Sequence, residues 1–250
     1  MAERILSFPK VANPNIDEVL EEFLRDQRLR LKRGTLSQYE TVIDLLRQHL
    51  NGYGYEGLSK PESALFHKHF NAKGDDHREF CQLFGPDKIV ENLDGFLGYF
   101  MIRKVLAGAG LKKAAGTVTH RLSKWLAEKG HISKEESQGG SERATEAARE
   151  LPKAERAAQI IFDFADALPV DPNELGDKDF MDFEHYTIAK VEPGKLWIET
   201  YEGGKPQLLG PLPVPKKATD LIQEGWDISC ALGRSRGKWN IVEMGNFYPL

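Results

Sequence analysis

Three histidines and one cysteine in the first third of the chain are residue types that bind metal ions. His67, His69, His77 and Cys81 fall within fifteen residues, and the last two are four apart, so they would share a helical face. Zinc accepts this ligand set. The paired Cys or His motifs of zinc fingers are absent, however, and surface histidines beside a buried cysteine explain the same residues. We therefore expect neither a metal nor another cofactor.

Side chains for acid–base or nucleophilic catalysis do not converge in the sequence. Asp163 and Asp166 are paired carboxylates, but their spacing makes them neighbours on a helix surface. No set of nucleophile, general base and oxyanion donor follows from spacing. We expect a protein that is not an enzyme.

Basic residues are concentrated between Arg103 and Lys129, where seven lysines and arginines accompany one acid, although the whole chain has a net charge of −4. Four of them are candidates for contact with phosphates: Lys112, Lys113, Arg121 and Lys124. Arg121 and Lys124 are three apart and would share a helical face. A solvated helix surface is the alternative interpretation.

A second basic group surrounds a glycine-rich turn near the C-terminal end, at Arg234, Arg236 and Lys238. Aromatic residues recur on the strands predicted around it: Tyr186, Trp197, Tyr201, Trp226 and Trp239. Small β-barrels use such combinations to bind nucleic acids or peptides. The alternation of strand side chains predicts that about half of these aromatics are core residues.

Helices should position the first basic group. Asn15 is a suitable cap for a helix running from Ile16 to about Lys32. Gly34 should end this helix, and Thr35 with Gln38 has the capping-box spacing for a second one.

The same spacing at Ser59 and Glu62 predicts a third helix from Pro61 to about Phe70. A long apolar helix should follow from Asp87 to about Ala107. Thr117 is then expected to cap the helix that carries Arg121 and Lys124, and Gly130 to end it.

The polar stretch Ser133 to Gly140 contains a Gly-Gly pair and is expected to be a linker. An alanine-rich helical pattern follows from Arg143 to Leu168. Pro152 inside it should kink or restart the helix.

From Phe183 onward the pattern changes from helical to alternating. Strands on either side of Pro193-Gly194 should form a hairpin, and the segment Leu208 to Val214, with two prolines, suits an edge strand. Two more strands should flank the basic turn Gly233 to Gly237. Five short strands predict a small closed barrel, SH3-like or OB-like.

Two stretches of the helical half resemble the core-binding domain of tyrosine recombinases and phage integrases. The first is Thr35-Leu-Ser-Gln-Tyr39 followed by an apolar ladder, and the second is the segment Gly116 to Leu126 with Gly130-His131-Ile132. The resemblance covers residues 23–132, with a long middle between Tyr53 and Pro86. It implies a SAM-like helical bundle that holds a DNA duplex from one side.

The catalytic domain of that family has no counterpart in the sequence. Its chemistry needs a His-x-x-Arg pair and a tyrosine nucleophile, because guanidinium groups must neutralise the scissile phosphate. No His-x-x-Arg occurs in the chain, and His185 is the one histidine after Ile132. DNA integration or recombination activity is therefore not expected of this chain.

The expected architecture is α+β: a helical domain over residues 1–135, a linker and connecting helix over 136–179, and a small β-barrel over 180–250. We predict a non-catalytic DNA-binding protein. A protein-interaction adaptor without nucleic-acid binding is the alternative, and the barrel is the expected surface for a protein partner.

The cellular location follows from three features. The longest uncharged apolar run, Gly95 to Ile102, is too short to cross a bilayer, where about 20 residues are needed. The first ten residues contain no secretory signal. Cys81 and Cys230 lie in different predicted domains and are expected to be free thiols. These features predict a cytoplasmic protein without membrane contact.

Overall fold

The computed structural model describes residues 10–170, 172–202 and 204–250, so the N-terminal segment of the secretory-signal expectation lies outside the described residues. The protein is α+β, with helices first and a five-stranded antiparallel sheet after them. The helices are α1 (Ile16–Arg28), α2 (Arg33–Tyr53), α3 (Lys60–Phe70), α4 (Phe80–Leu83), α5 (Asp87–Glu91), α6 (Leu93–Gly95), α7 (Met101–Arg103), α8 (Ala109–Glu128), α9 (Lys134–Asp166) and α10 (Lys216–Thr219). The strands are β1 (Phe180–Glu192), β2 (Lys195–Glu202), β3 (Lys205–Pro213), β4 (Asp227–Ser235) and β5 (Lys238–Tyr248).

Contacts divide the chain into two compact units. Unit 1 contains the described residues up to Phe100 together with Ala114–Thr145. Unit 2 contains Met101–Lys113 and Glu146–Leu250. The boundaries fall inside α8 and α9, so each of these helices contributes residues to both units.

Helix α1 begins as predicted, because Asn15 and Glu18 form a reciprocal capping box. The predicted start of α2 is wrong. Lys32 is its N-cap residue, without a side-chain cap, so Gly34 and Thr35 lie inside the helix. A glycine is tolerated there because first-turn N–H groups have no partner within the helix in any case.

Of two other predicted helix starts, that of α3 is confirmed and that of α8 is wrong. Ser59 and Glu62 form the expected capping box of α3. Helix α8 begins at Ala109, which places Thr117 in its interior rather than at its cap. Its end is as predicted: Gly130 has φ +76°, and the next residue, His131, donates its N–H to the carbonyl of Leu126 at 2.8 Å.

The predicted helix from Asp87 to Ala107 is interrupted. Helices α5 and α6 are followed by a π-helical turn at Phe96–Phe100 and then by α7. The apolar face of this segment is nevertheless buried, including Ile89, Leu93, Phe96 and Leu97.

The core of unit 1 is centred on Phe23 of α1. Its ring stacks on Tyr39 of α2 with centroids 6.0 Å apart, and it meets Trp125 of α8 edge-on at 5.4 Å. All three side chains are buried. The packing joins both stretches that resemble the core-binding domain.

The expected linker at 133–140 is helical. Ser133 and Glu136 cap each other, so α9 starts at Lys134 and continues through Pro152. A Cβ added to Gly140 would lie 2.4 Å from Val90 Cγ1 and 2.8 Å from Ser123 Oγ. The glycine is therefore needed for close packing, and its presence does not break the helix.

Unit 2 contains the sheet, in the order β3-β2-β1-β4-β5. The hairpin around Pro193-Gly194 is confirmed, and β3 is an edge strand as predicted. The Gly203-Gly204 pair, where the sequence predicts a second turn, includes Gly203, which lies outside the described residues. The core combines strand residues such as Ile188, Leu196 and Ile228 with Ala157 and Ile161 of α9.

In the described part of the chain no helix is long and apolar enough to cross a membrane.

Candidate nucleic-acid interface

Lys112 cannot serve as an exposed phosphate contact. Only 4 % of its surface is accessible, and its ammonium group forms an ion pair with Glu155 within unit 2. If Lys112 left this pair, the half-buried Glu155 carboxylate would lose its partner. Lys113, the next residue, is exposed.

Arg121 and Lys124 differ in their electrostatic surroundings, although both lie on one side of α8 in unit 1. The Arg121 guanidinium makes two hydrogen bonds with the Glu128 carboxylate, at 2.9 and 3.0 Å. Lys124 is exposed and has no acidic partner among the described residues. Of the two, Lys124 is therefore the cation that is available to bind a phosphate.

The contacts of α8 with α1 show which end of unit 1 these residues occupy. The Trp125 indole N–H donates to Asp26 at 2.9 Å, and the Lys129 ammonium binds Glu22 at 2.9 Å. A later residue of α8 thus contacts an earlier residue of α1, so the two helices are antiparallel. Arg121, one turn before Trp125, lies toward the C-terminal end of α1. Trp125 is buried and is a core residue.

The same end of α1 contains a basic group that the sequence analysis missed. Five of the nine residues 25–33 are basic, and we call the exposed residues Arg30, Lys32 and Arg33 the α1–α2 basic group. Arg30 donates to the neutral side chain of Gln27 at 2.7 Å. Lys32 and Arg33 have no acidic partner in the described parts of the chain. A charge count over a nine-residue window would have found this group.

The position of Lys32 and Arg33 is electrostatically unfavourable for the helix itself. They occupy the N-cap and first residue of α2, where the helix dipole favours acids, and the first turn contains no acidic residue. Basic side chains here add to the positive end of the dipole. The resulting surface attracts anions.

The C-terminal basic residues are arranged differently from the prediction. Strand β4 extends to Ser235, so Gly233 and Arg234 are strand residues and the turn consists of Arg236 and Gly237, both with positive φ. Arg234 binds Asp179 at 2.6 Å and lies over the ring of Trp239. Arg236 and Lys238 are exposed, and neither has an acidic partner within the part of the chain that the structure describes.

The predicted aromatic set is divided between core and surface. Tyr186 and Trp226 are buried in the core of unit 2. Trp197 and Trp239 are half-buried, and each faces a cation, Lys190 at 4.7 Å and Arg234 at 5.5 Å from the ring centroid. Tyr201 is exposed. No continuous aromatic platform for stacked bases results.

The candidate metal ligands are not brought together. Cys81 is buried, with its thiol near the carbonyl of Arg47, and burial raises the pKa of this thiol. A ring nitrogen of His77 lies 2.8 Å from the carbonyl oxygen of Phe70. Among the described residues no three His, Cys, Asp or Glu side chains form a group that could hold a metal ion.

One end of unit 1 attracts anions. The α1–α2 basic group forms this end, and Lys124 of α8 lies on the same side. Of the other exposed cations of unit 1, Arg28 and Lys129 are paired with acids. No protein-family model, curated protein or solved structure matches the chain.

Proposed function

We propose that the chain is a non-catalytic DNA-binding protein of the cytoplasm whose unit 1 is related to the core-binding domain of tyrosine recombinases. The α1–α2 basic group is the observation that carries this proposal. Three exposed cations without an acidic partner among the described residues lie between α1 and the first residue of α2, and two of them, Lys32 and Arg33, oppose the stability of α2 from its N-terminal end. A polyanion compensates for that repulsion when it binds.

The residues that carry the family resemblance support a duplex rather than a small anion as the ligand. Tyr39 and Trp125, one from each stretch, contact the same core residue, Phe23. The packing holds the first half of α2 and the C-terminal part of α8 against the same residue of α1. A duplex offers phosphates in two rows and can contact both elements together.

The proposed interface consists of Arg30, Lys32, Arg33 and Lys124, with Arg121 as a cation that is shared with Glu128. Its character is phosphate binding, because every side chain in it is a cation and none is an Asn, Gln or acid that would read adenine or cytosine. We therefore expect DNA affinity with little sequence preference and strong dependence on salt.

For unit 2 we propose that the sheet curves into a small barrel of the SH3-like or OB-like kind. Strand β1 pairs with β2 at one end and with β4 along the other, and residues of the two edge strands β3 and β5 approach one another. Arg236 and Lys238 provide a secondary contact for nucleic acid or a protein partner.

Fluorescence anisotropy with a labelled duplex tests the proposal. We expect the full chain to bind duplex DNA, with an affinity that falls as salt rises by a log–log slope of about −0.9 per phosphate contact. Reversing Arg121 and Lys124 to Glu should weaken binding and flatten the slope. Reversing Arg234 and Arg236 should have a smaller effect.

Two outcomes of this comparison contradict the proposal. If the Arg234 and Arg236 reversal abolishes binding while the α8 variant binds normally, the interface lies on unit 2. If the wild-type chain has no salt-sensitive affinity for duplex or single-stranded DNA, the nucleic-acid function is wrong and the adaptor hypothesis replaces it.

A further inference from the structure

A cavity in unit 1 lies apart from the proposed DNA contacts. It has a volume of about 330 Å³ and is lined by His49, Tyr53, Glu56, Gly57, Asn92, Gly95 and Tyr99. The lining comes from the C-terminal end of α2, the 3₁₀ turn after it, and the interrupted helical segment. None of these residues carries a positive charge at neutral pH.

The imidazole of His49 is the polar group at the wall of this cavity. The residue is 3 % exposed, and neither ring nitrogen makes a hydrogen bond. Burial lowers the pKa of His49 to about 4, and the backbone carbonyl of Asn92, near the ring but outside hydrogen-bond geometry, opposes this shift only in part. The ring is therefore neutral at pH 7, with one N–H donor and one acceptor nitrogen.

Buried polar atoms without partners are uncommon in native proteins and need a reason. The nearby carbonyl of Asn92 favours the tautomer whose N–H is turned toward it. The lone pair of the other ring nitrogen is then the group without a partner. A ligand that enters the cavity with a hydrogen-bond donor would satisfy it.

The backbone is shaped to make room for this ring. A Cβ added to Gly95 would lie 3.1 Å from Cε1 and 3.2 Å from Nε2 of His49. Directly after Gly95 the chain forms the π-helical turn Phe96–Phe100, and such turns occur frequently at functional sites. The glycine and the wide turn together hold the chain around the imidazole without filling the cavity.

Aromatic rings form the walls. His49 stacks on Tyr53 with centroids 5.6 Å apart, and Tyr53 meets Tyr99 edge-on at 6.3 Å. Phe96 and Phe100 pack behind the imidazole. Ring faces of this kind attract cations and stack on planar groups.

Glu56 and Asn92 add acceptor oxygens to the lining, beside the hydroxyls of Tyr53 and Tyr99. Glu56 is exposed at the rim and has no basic partner among the described residues. The Asn92 side-chain amide N–H donates to the carbonyl of Lys88 at 2.8 Å, which leaves its oxygen as an acceptor. A carboxylate, an amide oxygen and an imidazole lone pair select a donor and repel an anion.

We propose that this cavity is a binding site for a small organic cation with a planar N–H-donating head, of the guanidinium class. The plane of the head stacks on Tyr53, one N–H donates to the free nitrogen of His49, and the charge is balanced by Glu56. A phosphate-bearing ligand is excluded by Glu56, and a metal ion by the shortage of ligating side chains.

Calorimetry with n-butylguanidinium and its neutral isostere n-butylurea tests the proposal on the full chain without DNA. We expect saturable 1:1 binding of the guanidinium compound and at least about tenfold weaker binding of the urea, because only the cation gains from Glu56 and the ring faces. Histidine ¹⁵N spectra should show the acceptor nitrogen of His49 shifting as the cation binds.

Three variants locate the site. Glu56→Gln, at an exposed position, should weaken cation binding several-fold, whereas Glu135→Gln, an exposed acid outside the lining, should leave it unchanged. Gly95→Ala should reduce binding by pressing on the imidazole, and His49→Leu should abolish it. If His49→Leu does not fold, Glu56→Gln still decides the question. Equal binding of the urea, unchanged binding by Glu56→Gln, or no saturable binding of the cation would overturn the proposal.

Discussion

His49 makes the stability of unit 1 depend on pH. Its pKa falls from an ordinary value of 6.5 to about 4 because the ring is buried without a hydrogen-bond partner. In the unfolded chain the same side chain is solvated and takes up a proton at its ordinary pKa. The unfolded state therefore binds one more proton than the folded state between these two values.

The stabilising contribution of this pKa difference is fully present above about pH 6.5 and is lost as the pH falls through about 4. We predict a loss of up to about 3 kcal/mol in the free energy of unfolding over this range. The His49→Leu variant should not show this loss. Urea unfolding at several pH values, followed by far-ultraviolet circular dichroism, measures the free energy of unfolding of both proteins. Both contain the same carboxylates, so the effect of these groups cancels in the difference between the two curves. Parallel curves for the two proteins would contradict the pKa assigned to His49.

Glu128 limits the contribution of Arg121 to DNA binding, because its carboxylate holds the guanidinium through two hydrogen bonds. Glu128→Gln should therefore raise the affinity for duplex DNA by about threefold and steepen the salt slope by up to about one unit. Anisotropy titrations at several salt concentrations measure both quantities. Glu135→Gln, which also removes one exposed acid from unit 1, is the control. An equal gain in both variants would mean that only net charge matters.

At the scale of elements, the two adjacent glycines of α9 have opposite roles. Gly140 lies against Val90 and Ser123, whereas a Cβ at Gly139 would meet no described atom within 4 Å. We predict that Gly140→Ala destabilises the protein by about 1–3 kcal/mol through overpacking. Gly139→Ala should stabilise it by about 0.5–1 kcal/mol through helix propensity. Thermal unfolding of the pair measures this contrast, and the same direction of change in both variants would refute the packing role of Gly140.

These glycines also explain where the sequence was misleading about the fold. A Gly-Gly pair in a polar stretch is typical of a linker, but the Ser133 and Glu136 capping box starts a helix just before it. The capping-box spacing was visible in the sequence. The contact that requires Gly140 was not, because Val90 and Ser123 are distant in the chain.

Helix starts that depend on a local side-chain bond were predictable, and those that depend on packing were not. Asn15 and Ser59 cap their helices as their sequences indicate. Thr35 and Thr117 have the same residue type at a suitable spacing, yet each lies inside a helix that begins earlier. Before Thr117 the helix already contains the buried residues Lys112 and Ala115, and this burial outweighs the capping preference. Before Thr35 only the exposed residues Arg33 and Gly34 are added to α2, so burial does not explain its earlier start.

The candidate interface was only partly predictable for the same reason. Charge density pointed to α8, but burial of Lys112 and pairing of Arg121 depend on Glu155 and Glu128, whose positions follow from the fold. The α1–α2 basic group was readable from composition alone. The cavity at His49 was not, because its residues come from three separate segments.

At the scale of the whole molecule, the acidic net charge and a DNA-binding surface are compatible because the charges are segregated. Along α1 itself the acids Asp17, Glu18, Glu21 and Glu22 precede the basic group that follows Arg28. Long-range repulsion from the acids should keep non-specific affinity modest and confine a duplex to the basic end. Binding should consequently be detectable at low salt and weak near physiological salt.

The double reversal Lys32→Glu with Arg33→Glu tests the central claim most directly, because it separates binding from folding. Acids at the start of α2 are favoured by the helix dipole, so the melting temperature should stay the same or rise. The affinity for duplex DNA should fall by at least about tenfold, and the salt slope should flatten by about two units. Lys216→Glu with Lys217→Glu, an adjacent exposed pair in unit 2 with the same change in net charge, should bind like the wild type. A stable Lys32 and Arg33 variant that binds DNA as tightly as the wild type would contradict the account.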